Sequence, residues 1–181
     1  MRVVIFQGQY GIFQTAGLNL SMPAVQSCLG LYALSEKQDY ILCAHFDSAL
    51  GLQKNLMDIK GALEAKGINI KGLKATVFGG DGKQSYLRCS TPSSYIGYEI
   101  VNFIKKHGGI AEYSSRFYSG IIPKTFNFHY RGGCEITEGM NPMDFSQCDK
   151  RAANIARERT RITPHEYSIA HSKMEDVTRF Y

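Results

Sequence analysis

The stretch from Ser27 to Phe46 reads SCLGLYALSEKQDYILCAHF and contains two apolar runs separated by a polar segment. The runs Leu29–Leu34 and Tyr40–Phe46 have the length of strands, and the residues between them, Ser35–Asp39, have the composition of a turn. Because two consecutive strands usually pair, this stretch predicts a β-hairpin.

The hairpin would bring two reactive side chains to one edge of the sheet. Cys28 comes directly before the first strand, and His45 lies near the end of the second, seventeen residues later. A thiol becomes a nucleophile when a neighbouring imidazole accepts its proton. The sequence therefore predicts a catalytic pair of Cys28 and His45. The alternative is that both residues are structural, because a cysteine on a strand is usually a buried, inert thiol.

The remaining elements indicate the fold class. Arg2–Phe6, Leu73–Phe78 and Thr125–Tyr130 are rich in β-branched and aromatic residues and are predicted as strands. Lys54–Lys66 and Ser94–His107 have helical periodicity, and a glycine follows each of them. The two helices are placed irregularly among the strands. This order favours an α+β fold, a mixed or antiparallel β-sheet sandwich with packed helices, over a doubly wound parallel sheet.

The composition changes at Glu138. Glu138–Pro142 is predicted as a linker, Gln147–Arg161 as a short, exposed, basic helix, and Thr163–Tyr181 as a polar tail. The sequence therefore divides into a main domain at residues 1–137 and a C-terminal extension at residues 138–181. We expect the extension to dock a partner or to form a lid.

Composition and charge exclude several classes of protein. Of 181 residues, 44% are hydrophobic and 12% aromatic, which excludes a disordered chain and favours one sizeable domain with an appendage. The net charge of +5 comes from scattered basic residues, whereas nucleic-acid-binding proteins cluster them, so we expect no nucleic-acid partner. No apolar run approaches the ~20 residues of a membrane helix, and the N-terminal run is too short for a signal peptide. We therefore expect a cytoplasmic protein without membrane insertion.

The cysteines do not form a recognisable framework. There are five of them, an odd number without secretory context, and no CxxC motif occurs, so neither a disulfide scaffold nor a structural zinc site is expected. Cys43 lies two residues before His45 and would face the same side of its strand. Three interpretations of Cys43 stay open: a redox-sensitive partner of Cys28, a partial metal site with His45, or a packed core thiol.

Three motifs together resemble a known family. Ser27-Cys28 before an apolar strand, Ala44-His45 seventeen residues later and Val77-Phe78-Gly79-Gly80 further on are similar to the pattern of the CheD chemoreceptor glutamine deamidases. Tyr95–Ile100 also resembles the start of a helix in that family. The similarity covers roughly residues 15–136. Residues 79–83, Gly-Gly-Asp-Gly-Lys, lack the complete pattern of a phosphate loop and are expected to form a tight turn beside the site. Deamidating toxins of the cytotoxic-necrotizing-factor type share the same Cys-His architecture.

The resemblance implies a protein-glutamine deamidase, a CheD-like cysteine hydrolase at residues 1–137. Cys28 would attack the side-chain amide of a glutamine, and His45 would take the thiol proton and deliver it to the departing ammonia. Backbone N–H groups near Cys28 would hold the oxyanion. The resemblance implies no metal and no organic cofactor. The partners would be a protein substrate with an exposed glutamine and a regulatory protein, in chemotaxis signalling or in an attack on a host.

The sequence departs from the family pattern at two positions near Cys28. The third catalytic group of the family is a threonine six residues before the cysteine, where this chain has Met22. Ser21 could supply the hydroxyl if Pro23 shifts the turn by one residue, or it could simply cap the turn. Gln26 stands where the family has glycine. These departures also leave two other functions open: a catalytically inactive CheD-like module that binds proteins in signalling, and a thiol-dependent amidase or peptidase for small molecules.

Overall fold

The computed structural model describes residues 1–80, 92–139, 149–161 and 172–181. Within these ranges the chain forms two mixed β-sheets and three helices, which confirms the predicted α+β class. The two sheets pack face to face, and two of the helices cover the other face of the larger sheet. The fold is therefore a sandwich of three layers.

The bounds of the elements are as follows. The strands are β1 (Arg2–Val4), β2 (Gln9–Gln14), β3 (Asn19–Val25), β4 (Leu29–Leu34), β5 (Tyr40–Phe46), β6 (Lys74–Gly79), β7 (Ile110–Glu112), β8 (Lys124–His129), β9 (Gly133–Glu138) and β10 (Glu175–Asp176). The helices are α1 (Leu52–Ala65), α2 (Ser93–Lys106) and α3 (Lys150–Arg161). In the described ranges, no helix combines the length and the apolar composition needed to cross a bilayer.

The predicted hairpin lies at the centre of the larger sheet. This sheet has the strand order β10-β2-β5-β4-β6-β7, and the smaller sheet has the order β1-β3-β8-β9. The bounds of β4 and β5 agree with the prediction, and hydrogen bonds of the Ser35 hydroxyl help to close the turn between them. Ser35 Oγ donates to Asp39 Oδ1 (2.7 Å), and the Tyr40 N–H donates to Ser35 Oγ (3.0 Å). The hairpin prediction is therefore confirmed.

Side chains of the larger sheet alternate between two hydrophobic cores. The helix-side core lies between this sheet and helices α1 and α2, and it includes Leu31 and Ala44. The inter-sheet core lies between the two sheets, and it includes Ile41, Cys43 and Phe126. Because successive side chains of a strand point to opposite faces, this alternation decides which core each residue of β4 and β5 faces.

The predicted C-terminal helix is present as α3, but the prediction that it is exposed is wrong. Ala152, Ala153 and Ala156 are buried, and Ala152 belongs to the inter-sheet core. The side-chain amide of Gln9, at the start of β2, donates a hydrogen bond from Nε2 to the Ala152 carbonyl (2.7 Å). Three small side chains therefore give this highly charged helix a narrow buried face.

The described part of the tail is also built into the sandwich. Residues 175 and 176 form β10, which pairs in parallel with β2 at the edge of the larger sheet. The buried side chain of Asn55 on α1 donates to the Ser172 carbonyl (2.7 Å) and accepts from the Met174 N–H (3.0 Å). Glu138, the first residue of the predicted linker, ends β9. Residues 140–142 of that linker and 163–171 of the predicted tail lie outside the described ranges.

Candidate active site

Cys28 and His45 lie at the same edge of the larger sheet. The register of β4 and β5 pairs Gly30 with His45 and Leu29 with Phe46, so Cys28 is the residue just beyond the last pair. Cys28 and His45 are thus diagonal neighbours. In a regular antiparallel pair, the Cα atoms of such neighbours lie about 7–8 Å apart. The hairpin therefore brings the two residues of the predicted pair to adjacent positions.

The side chains of Cys28 and His45 nevertheless face different cores. Cys28 is half-buried and packs against the helix-side core, whereas His45 shares the face of Cys43, which lies in the inter-sheet core. Among the described residues, neither ring nitrogen of His45 has a hydrogen-bond partner, so no hydrogen bond joins the ring to Cys28. Cys28 lies in a bend before β4, and the alternation of the strand does not fix its direction there. The predicted proton-sharing contact is therefore not formed, and the sulfur must turn towards the inter-sheet side to reach the ring.

His45 is a buried, neutral imidazole. Its exposed fraction is 3%, and burial lowers its pKa to about 4, even though the Asp47 carboxylate and the Ile5 carbonyl both act to raise it. The Ile5 carbonyl contributes to the electrostatics of the ring without making a hydrogen bond of normal geometry. A buried polar atom without a partner costs about 1–3 kcal/mol. Buried polar groups are usually paired, so an unpaired one calls for an explanation, and a catalytic role is one such explanation.

The Gly79–Gly80 turn holds the backbone of Cys28. The Gly80 N–H donates to the Cys28 carbonyl (3.0 Å). Both glycines have positive φ angles, 90° and 63°. A Cβ on Gly79 would lie 2.5 Å from the Cys28 carbonyl oxygen and 2.4 Å from Cγ1 of Val25. Only glycine fits at position 79. Residues 81–83 of the expected tight turn lie outside the described ranges.

Tyr113 connects this turn to helix α2. Its hydroxyl donates to the Gly79 carbonyl (2.9 Å). Gly97 of α2 lies against the tyrosine ring, and a Cβ at this position would lie 2.0 Å from Cε1 of Tyr113. The glycine in the Tyr95–Ile100 motif therefore has a physical role, since it lets the helix approach the ring that supports the turn.

Replacing Gly97 with alanine is expected to destabilise the protein by about 2 kcal/mol, because the new methyl group must displace the buried Tyr113 ring. Gly61 of α1 is the matched control, since a Cβ there meets nothing within 4 Å. Gly61→Ala is expected to stabilise by about 1 kcal/mol through helix propensity. Thermal unfolding measures both changes, as a Tm lowered by roughly 4–8 °C and a Tm raised by roughly 2–4 °C. Equal shifts of the two variants would contradict this role of Gly97.

Ser21 does not lie with Cys28 and His45. Leu20 and Met22 on either side of it belong to the inter-sheet core, so alternation turns the Ser21 side chain to the outer face of the smaller sheet. The register irregularity of β3 falls after Ser21, between Met22 and Val25, where Ala24 has a positive φ of 58°. It therefore cannot rotate the serine hydroxyl inwards. Met22, at the position of the family threonine, is fully buried.

Burial raises the pKa of both other cysteines in the described ranges. Cys43 is fully buried in the inter-sheet core, and burial raises its pKa well above the usual value. Burial also raises the pKa of Cys134 to about 11. Cys43 thus has the environment of a packed core thiol, the third of its interpretations. In the described ranges, no three His, Cys, Asp or Glu side chains come together as metal ligands, and Cys89 and Cys148 lie outside those ranges.

Sequence analysis missed three residues that shape the site: Asp47, Tyr113 and Ser119. Asp47 lies beside His45, and the Ser119 hydroxyl donates to the Val25 carbonyl (2.6 Å) just before Cys28. Ser119 and Tyr113 are distant from Cys28 in sequence, so no local motif could have indicated them. Comparison of the chain with protein-family models and with curated proteins finds no match.

Proposed function

We propose that this protein is a cysteine hydrolase that deamidates a glutamine side chain of a protein substrate. Cys28 is the nucleophile and His45 the general base, with no metal or cofactor. The observation that carries the proposal is the buried, neutral and unpartnered imidazole of His45 at the sheet edge where Cys28 lies. An imidazole in this state is unprotonated and can accept a proton, but burial makes it a weak base. The proposal therefore requires the thiolate that forms beside the ring to raise the pKa of His45.

The reaction has two halves. In the first, the Cys28 sulfur attacks the amide carbon while its proton passes to His45, and the tetrahedral intermediate then collapses as His45 protonates the departing ammonia. In the second, His45 takes a proton from water, the hydroxide attacks the thioester, and the proton returns to the sulfur as glutamate leaves. Atoms balance as one water consumed and one ammonia released.

The proposed reaction requires the thiol and the imidazole to meet. Catalytic hydrogen bonds are often long or unformed in the absence of substrate and tighten in the complex. Cys28 lies in a bend, at residues 26–28, and rotation about its side-chain torsion or a shift of this bend would direct the sulfur towards the inter-sheet side. We propose that the Cys28 side chain also makes this rotation in the free protein, so that the thiol and the imidazole meet before substrate binds.

The different packing of the Cys28 and His45 side chains favours a second candidate, the catalytically inactive CheD-like protein-binding module. In that case the His45 ring and the Cys28 thiol would be remnants, and Met22 in place of the family threonine would belong to the same loss of activity. The two candidates differ in a single property, which is whether Cys28 reacts faster because His45 is present.

The direct test of the proposed function uses mass spectrometry of candidate partner proteins. Each protein is incubated with the wild-type chain or with Cys28→Ala, and the peptides are searched for conversion of glutamine to glutamate with release of ammonia. Conversion by the wild type alone would support the proposal. Binding of a partner protein without conversion of its glutamines would favour the inactive module. Hydrolysis of free glutamine as fast as that of glutamine in a protein would favour a small-molecule amidase.

A further inference from the structure

The loop of residues 118–123, which directly precedes β8, exposes apolar side chains next to Cys28. Ile121 is 89% exposed and Ile122 is 47% exposed. Tyr98, on α2, is 45% exposed, and its hydroxyl lies 3.2 Å from that of Tyr118. We call these four residues, Tyr98, Tyr118, Ile121 and Ile122, the Ile121 surface. Single exposed apolar residues are common in proteins, so the argument depends on where this surface lies and how it is held.

Hydrogen bonds tie the loop to the segments that position Cys28. The N–H groups of Ser119 and Gly120 both donate to the Gly80 carbonyl (2.6 and 3.3 Å). The Ser119 hydroxyl donates to the Val25 carbonyl (2.6 Å). Since Gly80 itself donates to the Cys28 carbonyl, the loop is fixed to both sides of the Cys28 backbone.

Gln26 adds a contact on the open side of the site. Gln26 lies two residues before Cys28. Its Nε2 donates a hydrogen bond to the Ile121 carbonyl (3.2 Å). This bond holds the loop backbone while the Ile121 side chain stays in solvent. The Ile121 side chain is therefore exposed on a loop that is hydrogen-bonded to the segment around Cys28.

The chemistry of the segments around the Ile121 surface is apolar. The sequences Val25–Tyr32, VQSCLGLY, and Phe117–Pro123, FYSGIIP, contain no charged side chain. Phenol hydroxyls, an amide and aliphatic groups are therefore what these two segments offer to a ligand. An apolar group gains free energy by burial on such a surface, whereas a charged group finds no partner in either segment.

We infer that the Ile121 surface binds an apolar side chain that lies next to the target glutamine in the substrate protein. This inference rests on the proposed function and adds a selection rule to it. Substrates are chosen by an aliphatic or aromatic neighbour of the glutamine.

The test uses two alkylating probes that differ by one apolar group, iodoacetamide and its N-phenyl derivative iodoacetanilide. Both alkylate a thiol with loss of iodide, and both are applied to a chain in which Cys89 and Cys148 are replaced by serine. The ratio of the two second-order rate constants at Cys28 is compared with the same ratio for glutathione. This measurement does not require deamidation, so its failure is distinguishable from a failure of the proposed function.

We expect the phenyl group to accelerate alkylation of Cys28 at least about fivefold relative to glutathione, through burial against the Ile121 surface. Ile121→Ser should return the ratio to the glutathione value, and Ile121→Leu should keep it. Ile110→Ser, which alters a 64% exposed isoleucine on β7, should also keep it. A wild-type ratio equal to that of glutathione, or a ratio that Ile121→Ser leaves unchanged, would overturn the inference.

Discussion

Replacing His45 with leucine is expected to make the protein more stable at neutral pH and to remove part of its sensitivity to acid. Both ring nitrogens are buried without a hydrogen-bond partner among the described residues, and an aliphatic side chain of similar size removes that cost. Allowing for imperfect packing, we expect a gain of about 1 kcal/mol in the free energy of unfolding at pH 7. Urea denaturation of the wild type and of His45→Leu measures the difference.

The pH dependence follows from the lowered pKa of His45. In the unfolded chain an imidazole has a pKa of about 6.5, whereas in the folded protein it is lowered to about 4. Between these values the unfolded state binds the proton and the folded state does not, so the free energy of unfolding falls as the pH falls. From pH 7 to pH 5 this contribution amounts to about 2 kcal/mol.

Carboxylates also titrate at acid pH. The diagnostic quantity is therefore the difference in the free energy of unfolding between wild type and His45→Leu, measured at each pH. The gain from His45→Leu should grow from pH 7 to pH 5. His129→Leu, at an exposed histidine, is the control for the loss of an imidazole at the surface. A difference between wild type and His45→Leu that stays constant over this range would mean that His45 is not held neutral by burial.

The second large effect concerns activity on a substrate protein. Cys28→Ala removes the nucleophile, and we expect deamidation to fall to background. His45→Ala removes the base and should lower kcat/KM by about 10²–10⁴. Ser21→Ala should retain full activity, because alternation along β3 turns this side chain away from the inter-sheet core. Ammonia release from the substrate identified by mass spectrometry provides the measurement.

The pH profile of that reaction separates a buried base from an exposed one. A base with a pKa of about 4 stays unprotonated at pH 5, so kcat/KM should change little between pH 7 and pH 5. An imidazole with the ordinary pKa of about 6.5 would lose about 25-fold over the same range. A 25-fold loss would show that the base is exposed in the working enzyme or is another residue.

Local patterns predict the hairpin but not its partners. β4 and β5 are continuous apolar runs on either side of a polar turn, and the structure has them at the predicted bounds. β2 and β3 were not predictable in the same way, because Gln9 and Pro23 interrupt their apolar pattern. Gln9 is buried only because the Phe6 N–H donates to its Oε1 (3.0 Å) and its Nε2 donates to Ala152, 143 residues away. The tertiary fold, and not the local sequence, pairs this side chain.

For the candidate site too, the sequence predicts the local placement of residues but not their tertiary contacts. The spacing of Cys28 and His45 predicts their shared sheet edge, because strand pairing fixes the position of each backbone. It does not predict that the thiol packs towards the helices, since Cys28 lies in a bend outside the strand. The supports of the site, such as the Tyr113 hydroxyl on Gly79, join distant segments and leave no local motif.

The central claim is that His45 takes the proton of Cys28 when the sulfur attacks, and the rate of alkylation tests it most directly. Cys28 is alkylated with iodoacetamide at pH 7 in chains that lack Cys89 and Cys148, with His45 or with His45→Leu. Burial raises the pKa of Cys43 and Cys134, so these thiols contribute little to the signal. The account predicts that Cys28 reacts at least about tenfold faster when His45 is present. Equal rates in the two chains would contradict it.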